Sequence, residues 1–151
     1  ADVHRRAGLD VTLVKADGAR GLLIKAPGAG EPRIPPLSTT ILPVVSAAVL
    51  GRPLDSATVH RPERLYEVTG LRPGEIVQPR HLAALLTSEN GALKGVGDAT
   101  VIPVLNMVDN DAKERLARQA AELALARSGK LKRVVLSSMR REPPLVAIVE
   151  R

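Results

Sequence analysis

TVIPVLNMVDNDAKERLARQAAELALARSGKLKRVVLSS, residues 100–138, decides the fold class. Its first eight residues are rich in β-branched side chains, which suit a pleated, half-buried surface and predict a strand. Asp111 follows with Glu114 three residues later, close to a capping box. Leu116, Ala120, Leu123 and Ala124 then recur at helical spacing until Gly129, so the pattern predicts a helix over 112–128. A second β-type run, 134–137, closes the unit. Strand, helix and strand in this order imply parallel strands joined by a right-handed crossover, hence an α/β domain with a mostly parallel sheet.

Working outward, 145–149 supplies a further short strand and 40–49 a strand followed by a short turn of helix that ends at Gly51. Two helices fit between them. One covers 62–68 and stops at Gly70; the other covers 79–87, with Pro79 in the first turn, where a missing N–H costs nothing. GALKGVG, 91–97, reads as a flexible loop. At the N-terminal side VTLVKA, 11–16, closed by Asp17-Gly18, reads as the first, buried strand. From 17 to 36 the chain holds four prolines and four glycines, a composition for an ordered loop, and long loops in compact domains are often functional. No repeat or linker divides the 151 residues, and their length favours one domain over two marginal cores.

With one Tyr and neither Phe nor Trp, the core is aliphatic and stacking platforms for bases are nearly absent. The absence of cysteine excludes disulfides, thiolate metal sites and a cysteine nucleophile. The first eight residues are polar and basic, and the apolar stretch 41–50 is too short to cross a bilayer, so the expectation is a cytoplasmic protein without a membrane partner. The net charge of +6 leaves two readings, a solvated basic surface or a phosphate-rich partner. No recognition helix, zinc finger or RNA-binding signature accompanies it, so no specific nucleic acid is expected. Nor is there a G-x-S-x-G elbow or a serine with a placeable His and carboxylate, which leaves catalysis unassigned.

LVKADGARGLLIKAP, EPRIPP, LGRPLDSATVHRPERL, GALKG and VLNMVDN occur in this order along most of the chain. They resemble successive blocks of the YqeC-like family of selenium-dependent hydroxylase accessory proteins. That resemblance implies a maturation or accessory role toward selenium-dependent molybdenum hydroxylases or their cofactor, and a three-layer fold like the C-terminal part of a P-loop nucleotide-binding protein. The G-x-x-x-x-G-K-[ST] cradle that such proteins begin with does not occur here. If the strand half that carries it is absent, one sheet edge is open, and a homodimer through that edge is expected.

Several residues are candidates for a site. Asp17, after an apolar run, stands where the family resemblance puts a magnesium-orienting carboxylate, although an Asp-Gly turn explains it equally and Lys15 inverts the local charge. Asn106-Met107-Val108-Asp109 resembles the N-K-x-D element that reads guanine. A carboxylate in the base plane accepts both guanine N–H donors, while the plainer reading is a strand-end turn. Lys25, Glu31 and the EPRIPP segment, with Arg20 nearby, form either a stiff binding loop or a proline-routed connection. His60, Arg61, Glu63 and Arg64 gather at a helix start, as an anion contact or a salt-bridge cluster. Lys94 is either a phosphate-reaching lysine or a solvated one. Two functions follow: a nucleotide-binding accessory factor holding a purine nucleotide with magnesium, or a non-catalytic module gripping a partner protein or a phosphate-bearing cofactor.

Overall fold

The computed structural model describes residues 2–151, and it is α/β with mostly parallel strands. After a short helix α1 (Asp2–Arg6) come β1 (Ile24–Lys25), β2 (Thr40–Ile41), β3 (Val44–Ser46), a single 3-10 turn (Ala47–Val49) and β4 (Val59–His60). Two helices, α2 (Pro62–Thr69) and α3 (Pro79–Thr87), precede β5 (Thr100–Val101) and β6 (Val104–Asn106). The chain ends in α4 (Asp111–Arg127), β7 (Arg133–Ser137) and β8 (Leu145–Glu150). The central sheet has the order β3, β6, β7, β8; the first three are parallel and β8 is antiparallel to β7. The unit expected over 100–138 is therefore present.

Two short ladders extend this sheet. β2 pairs with β5 in the same register as β3 with β6, each residue facing the one sixty positions later. Pro43 and Pro103 stand opposite one another in that register; neither has an N–H to donate, and strand geometry breaks there without a slip. Backbone bonds from Ile102 N to Ile41 O (2.9 Å) and Val104 N to Pro43 O (2.9 Å) carry the pairing across the break. β1 pairs in parallel with β4, and Ser46 N donates to Leu23 O at 3.3 Å, which lays β1 beside β3. The parallel strands β4, β1, β3, β6 and β7 thus end at His60, Lys25, Ser46, Asn106 and Ser137 along one edge.

The core is aliphatic, as composition requires. Leu105 and Leu136, neighbours across β6 and β7, are both 0% exposed and belong to one cluster with Ala117, Ala120, Ala121 and Ala124 of α4. The small alanine face lets α4 approach closely, and each buried leucine contributes about 1.5–3 kcal/mol. Its N-cap is Asn110, one residue earlier than expected: the side chain accepts from Lys113 N at 2.9 Å. Glu114 does not close a box; it bonds Arg118 and Arg141 instead.

Two expectations are corrected. The run 11–16 belongs to no strand, and Val11, Leu13 and Val14 are 70, 86 and 59% exposed. β-Branched residues favour a strand only when a neighbouring strand offers a ladder, and the first pairing here begins at Ile24. The 91–97 segment is not loose: Leu93 and Val96 are buried, and a Cβ on Gly91 would lie 2.3 Å from Leu85 O, so glycine is needed for that turn to close on α3. Among the described residues no helix is long and apolar enough to cross a membrane.

Candidate functional site

Loops leaving the C-terminal ends of parallel strands converge on one side of a sheet, which is where α/β proteins place ligands. All but Arg20 and Lys94 of the residues singled out in the sequence lie at or just beyond such an end, or on the loop that meets it, in two groups.

The first group surrounds the end of β1. Lys25 Nζ donates to Asp17 Oδ1 at 2.6 Å and to Glu31 Oε2 at 2.7 Å. The same Glu31 oxygen accepts from Gly28 N at 3.0 Å and from Arg61 Nη1 at 3.1 Å. Hydrogen bonding from Lys25, then from the Gly28 amide, lowers the Glu31 carboxyl from the ordinary 4.5 to about 2, with the Lys25 and Arg61 charges adding to it against some burial. A Cβ on Gly28 would sit 2.6 Å from Arg61 Nη1, so a side chain there would push the guanidinium away from its place beside Glu31. Lys94 Nζ bonds the carbonyls of Gly28 and Ala29, so it ties down the turn from below.

Arg61 is the N-cap of α2 and has a left-handed backbone, φ 58° and ψ 68°, uncommon for a residue with a Cβ. Its side chain does not cap the helix. Between this helix start and the 28–31 turn lies an open cavity of about 590 Å³, lined by the turn together with Arg33, Arg61, Glu63 and Arg64. Arg61 is held by Glu31, whereas Arg33 and Arg64 make no side-chain hydrogen bond or ion pair. Two unpaired guanidiniums on one cavity can grip phosphate or carboxylate oxygens in bidentate fashion. His60 ends β4 next to this group, while Arg20 (φ 53°) is exposed on the turn before β1.

Magnesium does not fit the acidic members of this group. The Lys25 ammonium already occupies the place between Asp17 and Glu31 that a cation would take, and no three metal-ligating side chains cluster among the described residues. Asp17 therefore serves as a lysine partner, and its Oδ1 also accepts from Gly18 N at 2.7 Å.

The second group lies at the ends of β3, β6 and β7. Asn106 Oδ1 accepts from Ser137 Oγ at 3.2 Å, and Asp109 Oδ1 accepts from Ser138 Oγ at 2.6 Å. Arg140 Nη1 stands 3.5 Å from Asp109 Oδ2. Met107 adopts φ 61° and its sulfur accepts from Ser46 Oγ at 3.0 Å. The structure thus brings Asn106 and Asp109 to one edge but braces Asn106 against the last residue of β7 and Asp109 against the loop after it.

Sequence reasoning passed over Arg33 and Gly28 as site residues. Arg33 was visible inside the proline-bracketed EPRIPP segment; nothing local signals that Gly28 faces a guanidinium thirty-three positions away.

Comparison with known proteins agrees with the resemblance noted in the sequence. The family model described as YqeC protein matches residues 1–63. A relative, "Uncharacterized protein YqeC" of Escherichia coli (strain K12), is 38% identical over 92 residues, which are 61% of this chain and 36% of that protein. The aligned part thus spans little more than a third of the relative's length. No solved structure matches the chain. The matched first 63 residues contain the Lys25, Glu31 and Arg61 network, so it is this part of the chain that is similar to the YqeC family.

Proposed function

We propose that this chain binds a small phosphate-bearing ligand in the cavity between the 28–31 turn and α2, as a non-catalytic module. We further propose that this binding serves the maturation of selenium-dependent molybdenum hydroxylases, the role the family resemblance implies. One observation carries the binding reading: Arg33 and Arg64 face the cavity without partners, beside a helix start that no side chain caps. A cavity of about 590 Å³ is of the size that holds a nucleotide-sized molecule. The Glu31 and Arg61 pair supports it by holding the turn in place before a ligand arrives, which lowers the ordering cost of binding. The left-handed Arg61 backbone fits the same reading, because such conformations cluster at ligand clamps. A P-loop-like architecture belongs to this proposal too, with the C-terminal strand edge as its ligand-binding side.

A second reading, guanine recognition by Asp109 with Asn106 as brace, is favoured by the Ser138 bond, which fixes the carboxylate and leaves Oδ2 facing only the exposed Arg140. Calorimetry with pyrophosphate, GTP, GDP, ATP and CTP separates the two. Heat with every phosphate ligand, weakened about tenfold by Arg64→Ala or Arg33→Ala and untouched by Asp109→Ala, is the expected result; a lost bidentate guanidinium contact is worth ~1.5–3 kcal/mol before solvent screening. Guanine-selective heat that Asp109→Ala abolishes would transfer the site to β6. Silence with all five ligands would sink both readings.

A further inference from the structure

Alternation along the strands divides the sheet into two faces. One carries Val45, Leu105, Val134 and Leu136 into the core with α4. The other carries Leu42, Val44, Ile102, Val104, Val135 and Ile148, and none of these six belongs to the core cluster or packs against it. Four of them form a row straight across the sheet: Val44 pairs with Val104, Val104 with Val135, and Val135 with Ile148. Leu42, Val44 and Ile148 are 50, 65 and 47% exposed. Lone exposed aliphatics are ordinary on protein surfaces, but a row in register over four strands is an unpartnered layer.

We propose that this face packs against the same face of a second copy of the chain, sheet on sheet, as a weak and reversible symmetric dimer. Charge favours that occupant. The chain carries +6, yet the residues that share this face from 40 to 46 and from 100 to 106 are all uncharged. At its rim Arg133 and Glu150 cancel in an ion pair of 3.3 Å. Two copies therefore meet aliphatic surface with aliphatic surface and no like-charge repulsion, whereas an acidic partner would find its cations elsewhere on the molecule. Area fits as well. Seven residues at ~3.3 Å rise across four strands at ~4.8 Å spacing give a face of about 450 Å², so two copies cover about 900 Å². Interfaces at that low end are weak and transient, so association should appear only as the concentration rises.

Sedimentation of the full 151-residue chain from low micromolar to several hundred micromolar tests it. The expected result is a mass rising from one chain toward two. Val44→Lys and Ile148→Lys, at exposed positions that tolerate lysine in the monomer, should each weaken association at least tenfold with unchanged circular dichroism. Because the chain has no cysteine, Val44→Cys supplies a single thiol for a second measurement. Mild oxidation should trap it as a covalent dimer far faster than Glu122→Cys on the exposed side of α4. A concentration-independent monomer, a dimer that neither lysine weakens, or equal trapping of both thiols overturns the proposal.

Discussion

Glu31 gathers three donors on one oxygen, and its behaviour in acid follows from that. Its carboxyl titrates near 2 when folded and near 4.5 in a free chain, so the unfolded state binds the proton first. The bonds stabilise the fold fully above pH 4.5, and the contribution drains away as pH falls through 2. The shift, 4.5 minus 2, sets an upper bound that solvent screening of a side chain 31% exposed reduces to ~1–2 kcal/mol. Glu31→Gln should therefore lower stability at neutral pH by that amount and flatten the acid limb between pH 4.5 and 2; an unchanged slope in urea melts would refute the assignment. The sequence disclosed that Lys25, Glu31 and Arg61 were charged residues in structured surroundings. It did not disclose that they meet, because Glu31 and Arg61 are thirty positions apart and only the parallel pairing of β1 with β4 unites their loops.

Helices were the most legible elements. α3 begins and ends where Pro79 and the chain beyond Thr87 predict, and Gly70 stops α2 with φ 71°. Their signals are local: a capping side chain, a fixed φ, a 3.6-residue period. For α4 the effective cap proved to be Asn110, since its amide oxygen reaches Lys113 N, whereas the expected Asp111 lies inside the first turn. Asn110→Ala should cost about 1 kcal/mol and Asn110→Gly only a few tenths. In thermal melts the alanine variant should fall by roughly 2–4 °C, and the gap between the two variants identifies the cap rather than general disturbance of the loop. Strands were less legible because their stability is not local. Residues 11–16 and 134–137 have similar composition, yet only the second has neighbours on both sides.

At the scale of the molecule, the parallel α/β class could be read from the alternation after residue 100, but the sheet order β3, β6, β7, β8 could not. Order depends on which strands find one another across sixty residues, and the composition of β3 does not name its partner. The reversal of β8 shows the same limit: a six-residue aliphatic strand fits either direction, and the short connection from Ser137 leaves room only for an antiparallel return. Site residues were legible as types gathered after strand ends. Their division into a basic cavity at β1 and a braced serine and carboxylate pair at β6 required the sheet.

The facing prolines, Pro43 and Pro103, act as a perforation in the sheet. Each withholds a proton that a neighbouring carbonyl would have taken, so between the outer rungs at Thr40 and Thr100 and the inner rungs at Val45 and Leu105 the ladder rests on the Ile102 and Val104 amides without a proline contribution. Opening can then stop at the perforation instead of running through the core. Amide exchange should reveal two populations within one continuous register. Thr100 and Ile102 should exchange at least tenfold faster than Leu105, whose side chain is sealed under α4, and their rates should respond little to denaturant because little surface is exposed when they open. Uniform protection from Thr100 to Asn106 would show that the ladder opens as one piece.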